Sequence, residues 1–373
     1  MVSRAVYALR FHADYRCRHS GACCTANWDV PVELPIYRSL SEAVTAEKLH
    51  TFDTPPPGGP FIVEPDLPDD AAAILERDDE GRCVFYAHDS RQCVVHRDLG
   101  EAALPATCRH FPRVAVQDQR GISISLSHFC PTAAGMLFRE DAVEVVAAPP
   151  AFPEADYEGL VVTADDLPPL LTPRMLMDLD GYTAWERHMV ARCSNVQRPP
   201  ASVIATLWRD AQRLAGWTPG GATLRDAIAQ LPTEYVDVTD EPGLHTSLRR
   251  HREVIEAVPD DLKPDADEEG LEDAMRAHVA PEWPGFHAPV NRYLAAKAFA
   301  SWTAYQGRGI STMVRGLDAA LALVRVEAAR QCRNAGRALD RDLLLEAFRE
   351  ADFLLNHLAV GEDLADAWSA AEE

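Results

Sequence analysis

Hydrophobic residues in the last third of the chain recur every three or four positions. The clearest stripe consists of Leu343, Leu344, Ala347, Phe348, Ala351, Leu354, Leu355 and Leu358. Two further stripes consist of Ile310, Met313, Val314, Leu317, Leu321 and Val324, and of Leu294, Ala298, Trp302 and Tyr305. This spacing is typical of helices that pack one face against a core. We therefore predict three core-facing helices in a mainly α-helical C-terminal domain.

A second pattern, with a period of two, covers residues 114–127. Isoleucine or leucine alternates with serine over residues 122–127, which predicts a strand with one buried face. Residues 114–117 form a shorter strand, and residues 118–121 supply a turn that ends in glycine. The N-terminal part of the chain is therefore predicted to contain a β-hairpin, and the fold class is predicted to be α+β.

The register of this hairpin predicts a contact between two cysteines. If Gln117 faces Ile122, then Cys130 lies opposite residue 109 and beside Cys108. The pairing would have to continue past Pro112, whose nitrogen donates no hydrogen bond to the ladder.

Proline-rich segments predict the domain boundaries. Residues 53–69 cannot continue a helix, because proline removes a donor and restricts the residue before it. We predict a loop there, and an acidic loop over residues 259–270. The proline-rich residues 148–173 are predicted to be a linker between a small cysteine-rich metal-binding domain, residues 1–147, and the helical domain, residues 174–373.

The charge of the chain excludes one class of partner. Lysine and arginine number 36 against 58 aspartate and glutamate residues, so the net charge is −22. Such a chain repels phosphate backbones, and we predict no nucleic-acid partner. No stretch reads as a secretory signal or is apolar over the length of a membrane span. We predict a cytoplasmic protein with no membrane partner, and the sequence leaves its oligomeric state open.

The cysteines carry the strongest chemical signal. Seven of the nine lie in the first 130 residues, and we predict that they supply the ligands of a metal centre: Cys17, Cys23, Cys24, Cys83, Cys93, Cys108 and Cys130. Disulfides are typical of small secreted domains, whereas this chain is long enough for an ample core and has an odd number of cysteines. Zinc and iron–sulfur centres both accept thiolates, and the spacings match no standard motif of either. The metal, and which four of the seven cysteines bind it, stay open. The other two cysteines, Cys193 and Cys332, are predicted core residues.

Residues beside the cysteines are predicted to support the centre. Gly21 permits the tight turn before the Cys23–Cys24 pair. Four histidines adjoin cysteines and are predicted to donate to sulfur or backbone rather than to bind the metal: His19, His96, His110 and His128. Arg109 is a candidate donor to the centre, and its alternative role is a structural ion pair. The predicted apolar wall consists of Trp28, Phe85 and Phe111.

The ordered cysteine segments resemble a known family. The run Cys17–Cys24, followed by Trp28-Asp-Val and Ile36-Tyr37, is similar to the opening of the flagellin lysine-N-methylase family, within the broader CxxCxxCC class of zinc- or iron-chelating proteins. The similarity continues through Gly81-Arg-Cys83-Val-Phe85, Cys93-Val-Val-His96, Leu99-Gly100, Leu104, Thr107-Cys108-Arg109, Phe111-Pro112-Arg113 and Ser125-Leu-Ser-His-Phe-Cys130-Pro131. It covers residues 11–138.

The resemblance implies a cysteine-bound metal centre, a [4Fe–4S] cluster in the methylase members. It also implies methyl transfer from S-adenosylmethionine to lysine side chains of a protein such as flagellin. One position departs from the family pattern: Ser20 stands where the broader family has its second cysteine, and serine is a poor ligand for soft metals.

The sequence does not identify the catalytic residues. We find no glycine-rich loop that follows a strand and precedes a helix with an acidic residue about twenty positions on. A lysine nucleophile needs a base, and Tyr293, Tyr305 and His287 are available without one being singled out. The methyltransferase hypothesis therefore has two alternatives. One is a non-catalytic metal-binding module that binds a protein partner, and the other is a metal-handling or redox protein.

Overall fold

The computed structural model describes residues 4–26, 28–49, 58–63, 67, 70–155, 157, 159–163, 165–238, 243–264 and 267–370, and it shows a mixed α+β protein. The strands, in chain order, are β1 Val6–Leu9, β2 Pro31–Glu33, β3 Phe61–Ile62, β4 Ala71–Leu75, β5 Tyr86–Ala87, β6 Gln92–Cys93, β7 Arg113–Asp118, β8 Gly121–Leu126, β9 Val145–Ala147, β10 Gly159–Val161, β11 Leu170–Thr172 and β12 Met175–Leu176.

The α-helices are α1 Leu34–Thr45, α2 Val94–Leu99, α3 Ala106–His110, α4 Pro131–Met136, α5 Leu179–Cys193, α6 Pro200–Ala215, α7 Leu224–Ala229, α8 Leu244–Glu256, α9 Leu271–Ala274, α10 His287–Ala298, α11 Thr303–Gln306, α12 Ile310–Ala335, α13 Arg341–Phe353 and α14 Gly361–Ala370. Shorter 3₁₀ turns cover Arg10–His12, Ala22–Cys24, Glu101–Ala103 and Trp283–Phe286, and π-helical turns cover Met275–Val279 and Leu354–Leu358.

The chain forms two compact units whose boundaries differ from the predicted ones. The smaller unit spans residues 16–113, and the larger unit combines residues 1–15 with residues 114–373. The predicted linker, residues 148–173, contains two strands of the larger unit, β10 and β11. The cysteine-rich unit is therefore an insertion after the first strand rather than a separate N-terminal third.

The smaller unit is built on short strands around its own core. In its three-stranded antiparallel sheet, β4 lies between β2 and β3, with Val32 opposite Ala73. Strands β5 and β6 form a separate hairpin that pairs Tyr86 with Cys93. Its most buried side chains include Val32, Leu40, Leu49, Val84 and Phe85. Of the predicted loop over residues 53–69, residues 53–57, 64–66, 68 and 69 lie outside the described part, and Phe61–Ile62 forms β3.

The larger unit contains a five-stranded mixed sheet in the order β10-β7-β8-β1-β9. Strand β1 runs parallel to β8 and antiparallel to β9, and β10 runs parallel to β7. The predicted hairpin is confirmed as β7 and β8, joined by two residues. Gly121 begins β8 with φ +130°, and a Cβ there would lie 2.2 Å from the Ala5 carbonyl oxygen. Only glycine fits this close approach to β1.

The prediction that β8 buries one face is wrong, because its serine face is buried as well. Ser123, Ser125 and Ser127 are each at most 5% exposed. The Ser125 hydroxyl donates to the carbonyl oxygen of Ala296 on α10 at 3.0 Å, and the Ser127 hydroxyl donates to the Asp352 carboxylate on α13 at 3.1 Å. Serine is small and finds acceptors here, so residues of α10 and α13 cover the serine face.

Two of the three predicted helical stripes are confirmed. The stripe from Ile310 to Val324 lies in α12, and the stripe from Leu343 to Leu358 lies in α13 and the π-helical turn that follows. Their residues join a single core with α5, α6, α8 and α10. Among the described residues, no helix has the length and hydrophobicity to cross a lipid bilayer.

The prediction of one continuous helix over the third stripe is wrong, because the helix breaks at Ala300. Helix α10 ends at Ala298, and Ala300 adopts a left-handed conformation with φ +54°. A continuous helix would join the Ala300 N–H to the Ala296 carbonyl oxygen. Instead, the Ala300 N–H donates to the buried Glu186 carboxylate at 3.2 Å, and the Ala296 carbonyl accepts from Ser125. Side chains distant in sequence thus replace the helical hydrogen bond.

Candidate metal centre

A tight turn in the smaller unit positions the adjacent cysteines. Gly21 has φ +73°, and a Cβ at this residue would lie 2.7 Å from the Arg91 carbonyl oxygen. The 3₁₀ turn Ala22–Cys24 follows directly, and the Cys24 N–H donates to the Gly21 carbonyl at 2.9 Å. The predicted role of Gly21 in this turn is confirmed.

Two later segments bring further thiols to this turn. The Cys83 N–H donates to the Cys24 carbonyl oxygen at 2.8 Å, which fixes one segment against the other. Cys93 ends β6 and immediately precedes α2. The Cys24 thiol interacts with the thiols of Cys23, Cys83 and Cys93. Four of the seven predicted ligands therefore lie together.

The thiols of Cys23, Cys24 and Cys93 differ in acidity. Hydrogen bonding with Cys23, Cys83 and Cys93 raises the pKa of Cys24 well above its usual value. The pKa of Cys93 is lowered to about 7, first by Cys24 and further by the backbone N–H groups of His96 and Val95. Backbone N–H groups at a helix start favour a thiolate. Hydrogen bonding with Cys24 also lowers the pKa of Cys23. The set therefore contains two sulfurs of lowered pKa beside a thiol that keeps its proton.

Apolar residues adjoin the thiol set on one side. A small pocket beside it is lined by Cys23, Cys24, Ala26, Trp28, Val30, Leu75, Arg77, Gly81 and Cys83. The predicted wall is present in part. Trp28 lines this pocket and its ring lies 5.3 Å from that of Phe111, while Phe85 is buried in the core of the unit. Such surroundings limit the access of water to sulfur.

The first cysteine of the motif lies at the surface. Cys17 is exposed, and its sulfur accepts a hydrogen bond from the His19 N–H at 3.3 Å. Ser20, at the position that departs from the family pattern, is also exposed. The rings of His19 and His96 lie 4.5 Å apart, and burial together with the charge of His19 lowers the pKa of His96. His96 follows Cys93 by three residues in the chain.

Cys108 lies on helix α3 of the smaller unit. The helix begins where the Ala106 N–H donates to the Glu33 carboxylate at 2.8 Å, and the Cys108 side chain packs against the core of the unit. Burial and the charges of Arg109 and Arg113 lower the pKa of His110. The contacts of the described residues show Arg109 neither as a donor to the thiols nor in an ion pair.

Cys130 belongs to the larger unit. It is buried directly before α4, and its sulfur lies 3.7 Å from the Tyr15 hydroxyl. The hairpin does not extend to it, because β8 ends at Leu126 and β7 begins only at Arg113. Neither strand reaches Cys130 or Cys108, so the β-ladder does not pair these two cysteines as predicted.

The two cysteines predicted as core residues are buried. Cys193 and Cys332 both have no exposed surface and pack in the core of the larger unit. Burial raises the pKa of Cys193 to about 12 and that of Cys332 to about 11. These thiols therefore stay protonated and unreactive at neutral pH.

The tyrosines considered as catalytic bases hold their protons. The buried Tyr293 hydroxyl donates to Asp352 at 3.1 Å, and the Tyr305 hydroxyl donates to Asp118. Burial raises the pKa of both tyrosines, and the neighbouring carboxylates raise it further. His287, the third candidate, is partly exposed at the start of α10. No base is singled out by these contacts.

Sequence reasoning missed a buried polar network in the larger unit. Asp352 has no exposed surface and accepts hydrogen bonds from the His128 N–H at 2.6 Å, Ser127 and Tyr293, and it pairs with the Lys297 ammonium. A signal was present in the sequence, since the chain has only three lysines and Lys297 interrupts an apolar stretch. Its partner could not be found from spacing, because it lies 55 positions away.

Within the described residues, no three or more histidine, cysteine, aspartate or glutamate side chains already stand in an arrangement that holds a metal ion. Comparisons with protein-family models, curated proteins and solved structures returned no match to this chain. The grouping of the four thiols is therefore the structural observation on which the proposal of a metal site rests.

Proposed function

We propose that the smaller unit binds a metal centre through Cys23, Cys24, Cys83 and Cys93. The observation that carries this proposal is the convergence of these segments: the Cys83 N–H donates to the Cys24 carbonyl oxygen at 2.8 Å, Cys23, Cys24 and Cys83 line one pocket, and the Cys24 thiol interacts with the other three thiols. These four residues come from three separate segments, and each segment is held by backbone hydrogen bonds rather than by the thiols themselves. A framework of this kind brings soft donors together before any metal arrives.

The donor set fits a soft metal. Four sulfur donors suit tetrahedral zinc or an iron–sulfur cluster, and neither centre needs the serine at position 20. Metal binding requires thiolates, and the lowered pKa of Cys93 supplies the first of them near neutral pH. Small rotations of the side chains would have to bring the sulfurs to coordination distance. A bound metal would crosslink the segments that carry the four cysteines.

Purification without oxygen, followed by absorption spectroscopy and elemental analysis, tests the centre. About four irons with inorganic sulfide identify a [4Fe–4S] cluster, whereas one zinc in a colourless protein identifies a zinc site. A protein that contains neither metal after growth in metal-supplemented medium contradicts the proposal.

Paired substitutions test the assignment of ligands. Cys24→Ser and Cys93→Ser are expected to remove most of the metal, while Cys193→Ser, a buried cysteine of the larger unit, leaves the metal content unchanged. Cys17→Ser, Cys108→Ser and Cys130→Ser then show whether the predicted set of seven extends beyond these four. Equal loss of metal from Cys24→Ser and Cys193→Ser would mean that the loss reflects unfolding rather than ligation.

For the activity, we propose a lysine N-methyltransferase that uses S-adenosylmethionine and acts on a protein such as flagellin. The support is the order of the cysteine motifs from Cys17 to Cys130, which resembles the flagellin lysine-N-methylase family. The test is calorimetric binding of S-adenosylmethionine to metal-replete protein, followed by mass spectrometry of flagellin after incubation. Metal-replete protein that binds no S-adenosylmethionine contradicts the methyltransferase proposal and leaves the metal site intact.

The alternative is a non-catalytic metal-binding module that binds a protein partner. It is favoured by the two candidate tyrosines, whose protons are held by carboxylates. A metal-bound protein that neither binds S-adenosylmethionine nor methylates flagellin is the result expected for this alternative.

A further inference from the structure

The larger unit contains an open cavity where two parallel strands end. Strand β7 ends at Asp118, and β10, which runs parallel to it, ends at Val161. The cavity lies directly beyond both ends and has a volume of about 240 Å³. Clefts at the carboxyl ends of parallel strands are common ligand-binding positions. The described residues of its wall include none of the cysteines.

The wall of the cavity combines apolar and acidic side chains. The apolar part includes Val162, Met177 and Leu179. The acidic part consists of the carboxylates of Asp118, Asp166 and Asp178. A ligand that suits both parts has an aliphatic body and a positively charged end.

Two of the three carboxylates have no cationic partner in the described part of the chain. Asp118 is only 3% exposed and pairs with Arg120 at 2.7 Å. Asp166 and Asp178 are exposed, and no described lysine, arginine or histidine side chain pairs with either of them. The cavity therefore has a negative charge that the described residues leave uncompensated.

Both of these carboxylates are held by hydrogen bonds through one oxygen. The N–H and the hydroxyl of Thr163 donate to one oxygen of Asp166 at 2.7 and 2.9 Å. These bonds, the backbone one first, lower the pKa of Asp166, so it is ionised at neutral pH. The Gly181 N–H donates to one oxygen of Asp178 at 2.6 Å and so caps α5. The second oxygen of each carboxylate accepts from no described residue and is available to a ligand.

Exposed apolar side chains flank the cavity. Seven large apolar side chains are exposed in the described part of the chain, and three of them directly precede wall residues: Val161, Leu167 and Leu176. Leu167, at 72%, is the most exposed of the seven. Strand β10 is also an edge of the five-stranded sheet. Exposed apolar side chains grouped at one place are typical of a surface that contacts another protein.

We propose that this cavity binds a cationic side chain of a partner protein. The cation donates to the available oxygens of Asp166 and Asp178, the aliphatic stem lies against the apolar wall, and apolar residues of the partner contact the three exposed side chains. A lysine side chain has five heavy atoms beyond Cα, which need about 150 Å³ at roughly 30 Å³ each, the share of a water molecule in the liquid. The cavity holds that volume. Because the proposal needs neither the metal centre nor methyl transfer, it can fail or succeed independently of both.

The test compares two peptides on the full-length protein. Acetyl-Leu-Lys-Leu-amide carries the cation, and acetyl-Leu-norleucine-Leu-amide has the same four-carbon stem without it. Calorimetry is expected to show binding of the lysine peptide, and binding of the norleucine peptide that is weaker by about tenfold to a hundredfold, the range for lost hydrogen bonds to a charged group. Equal affinities, or no binding of the lysine peptide up to about 10 mM, would overturn the proposal. This comparison needs no substituted protein.

Substitutions locate the cation. Asp166→Asn and Asp178→Asn each remove a charge and keep an oxygen for the backbone donor, so α5 keeps its cap. The double variant is expected to bind the two peptides with about equal affinity. Asp165→Asn is the matched control, since it removes the same charge from an exposed neighbour outside the cavity wall and should leave the preference for lysine in place. A preference for lysine that persists undiminished in the double variant would place the cation elsewhere on this acidic chain and refute the assignment.

The apolar side chains beside the cavity are tested separately. Leu167→Ser is expected to weaken both peptides alike, by about threefold or more, because it removes apolar surface from the contact with their leucines. Leu262→Ser changes another exposed leucine, one that adjoins no residue of the wall in the chain, and should leave both affinities unchanged. Unchanged affinities in Leu167→Ser would contradict the docking of a protein at this surface.

Discussion

Replacing Asp352 by asparagine tests the buried network most directly. The carboxylate has no exposed surface, and among the described residues it accepts from four donors: the Lys297 ammonium, the Tyr293 hydroxyl, the Ser127 hydroxyl and the His128 N–H. Burial alone would raise the pKa of Asp352, but Lys297 and His128 lower it well below its usual value. Asparagine keeps the shape, loses the charge and turns an NH₂ group towards donors.

The expected loss of stability follows from the cost of leaving a buried charge without its partner. Breaking a buried ion pair by removing one partner costs about 3–5 kcal/mol. We therefore expect Asp352→Asn to lower the free energy of unfolding by about 3–5 kcal/mol, a large share of the stability of a domain.

Urea unfolding, followed by circular dichroism and tryptophan fluorescence, measures this loss. Asp366→Asn is the matched control, because that aspartate is 70% exposed and pairs with Arg308 at the surface; its effect should stay within about 0.5 kcal/mol. In the double variant with Lys297→Met the unpaired charge disappears, so the loss should be smaller than the sum of the single losses. A loss below about 1 kcal/mol for Asp352→Asn, or strict additivity in the double variant, would refute the reasoning.

Three further predictions concern other parts of the molecule. Gly21→Ala should lower metal content, measured by elemental analysis, because its Cβ would lie 2.7 Å from the Arg91 carbonyl oxygen; unchanged content would show that the turn tolerates a side chain. Burial lowers the pKa of His357 to about 4, so the unfolded chain takes up a proton first as the pH falls below about 6.5. The contribution of neutral His357 to stability is therefore present above about pH 6.5 and is lost between about pH 6.5 and 4, by up to roughly 1.4 kcal/mol per pH unit. Urea unfolding at a series of pH values should show that the free energy of unfolding falls less steeply with pH in His357→Gln than in the unsubstituted protein. Iodoacetamide should label Cys193 only on unfolding, since burial raises the pKa of this thiol to about 12; rapid labelling of native protein at pH 8 would contradict its placement.

Features set by neighbours in the sequence could be predicted. The stripes of α12 and α13 follow from one repeat distance, and the hairpin follows from alternation and a two-residue turn. Gly21 could be identified because a turn before two adjacent cysteines needs an unusual backbone. In each case the residues that determine the structure lie within a few positions of one another.

Features set by distant residues could not be predicted. The serine face of β8 was expected to be exposed, since nothing in residues 122–127 reveals Ala296 or Asp352 as acceptors. The extension of the hairpin to Cys108 failed because Glu33 caps the start of α3 with its carboxylate, and the chain is helical where a strand was expected. The grouping of Cys24 with Cys83 and Cys93 was also beyond the spacing rules, which identified seven thiols without a way to choose among them.

The break at Ala300 shows why such failures are informative. The stripe from Leu294 to Tyr305 satisfies the helical pattern, yet the chain gives up a helical hydrogen bond and places an alanine in the left-handed conformation, which costs about 1–2 kcal/mol. Glu186 and Ser125 satisfy the two freed backbone groups, so the break is built by long-range contacts rather than left over from poor packing.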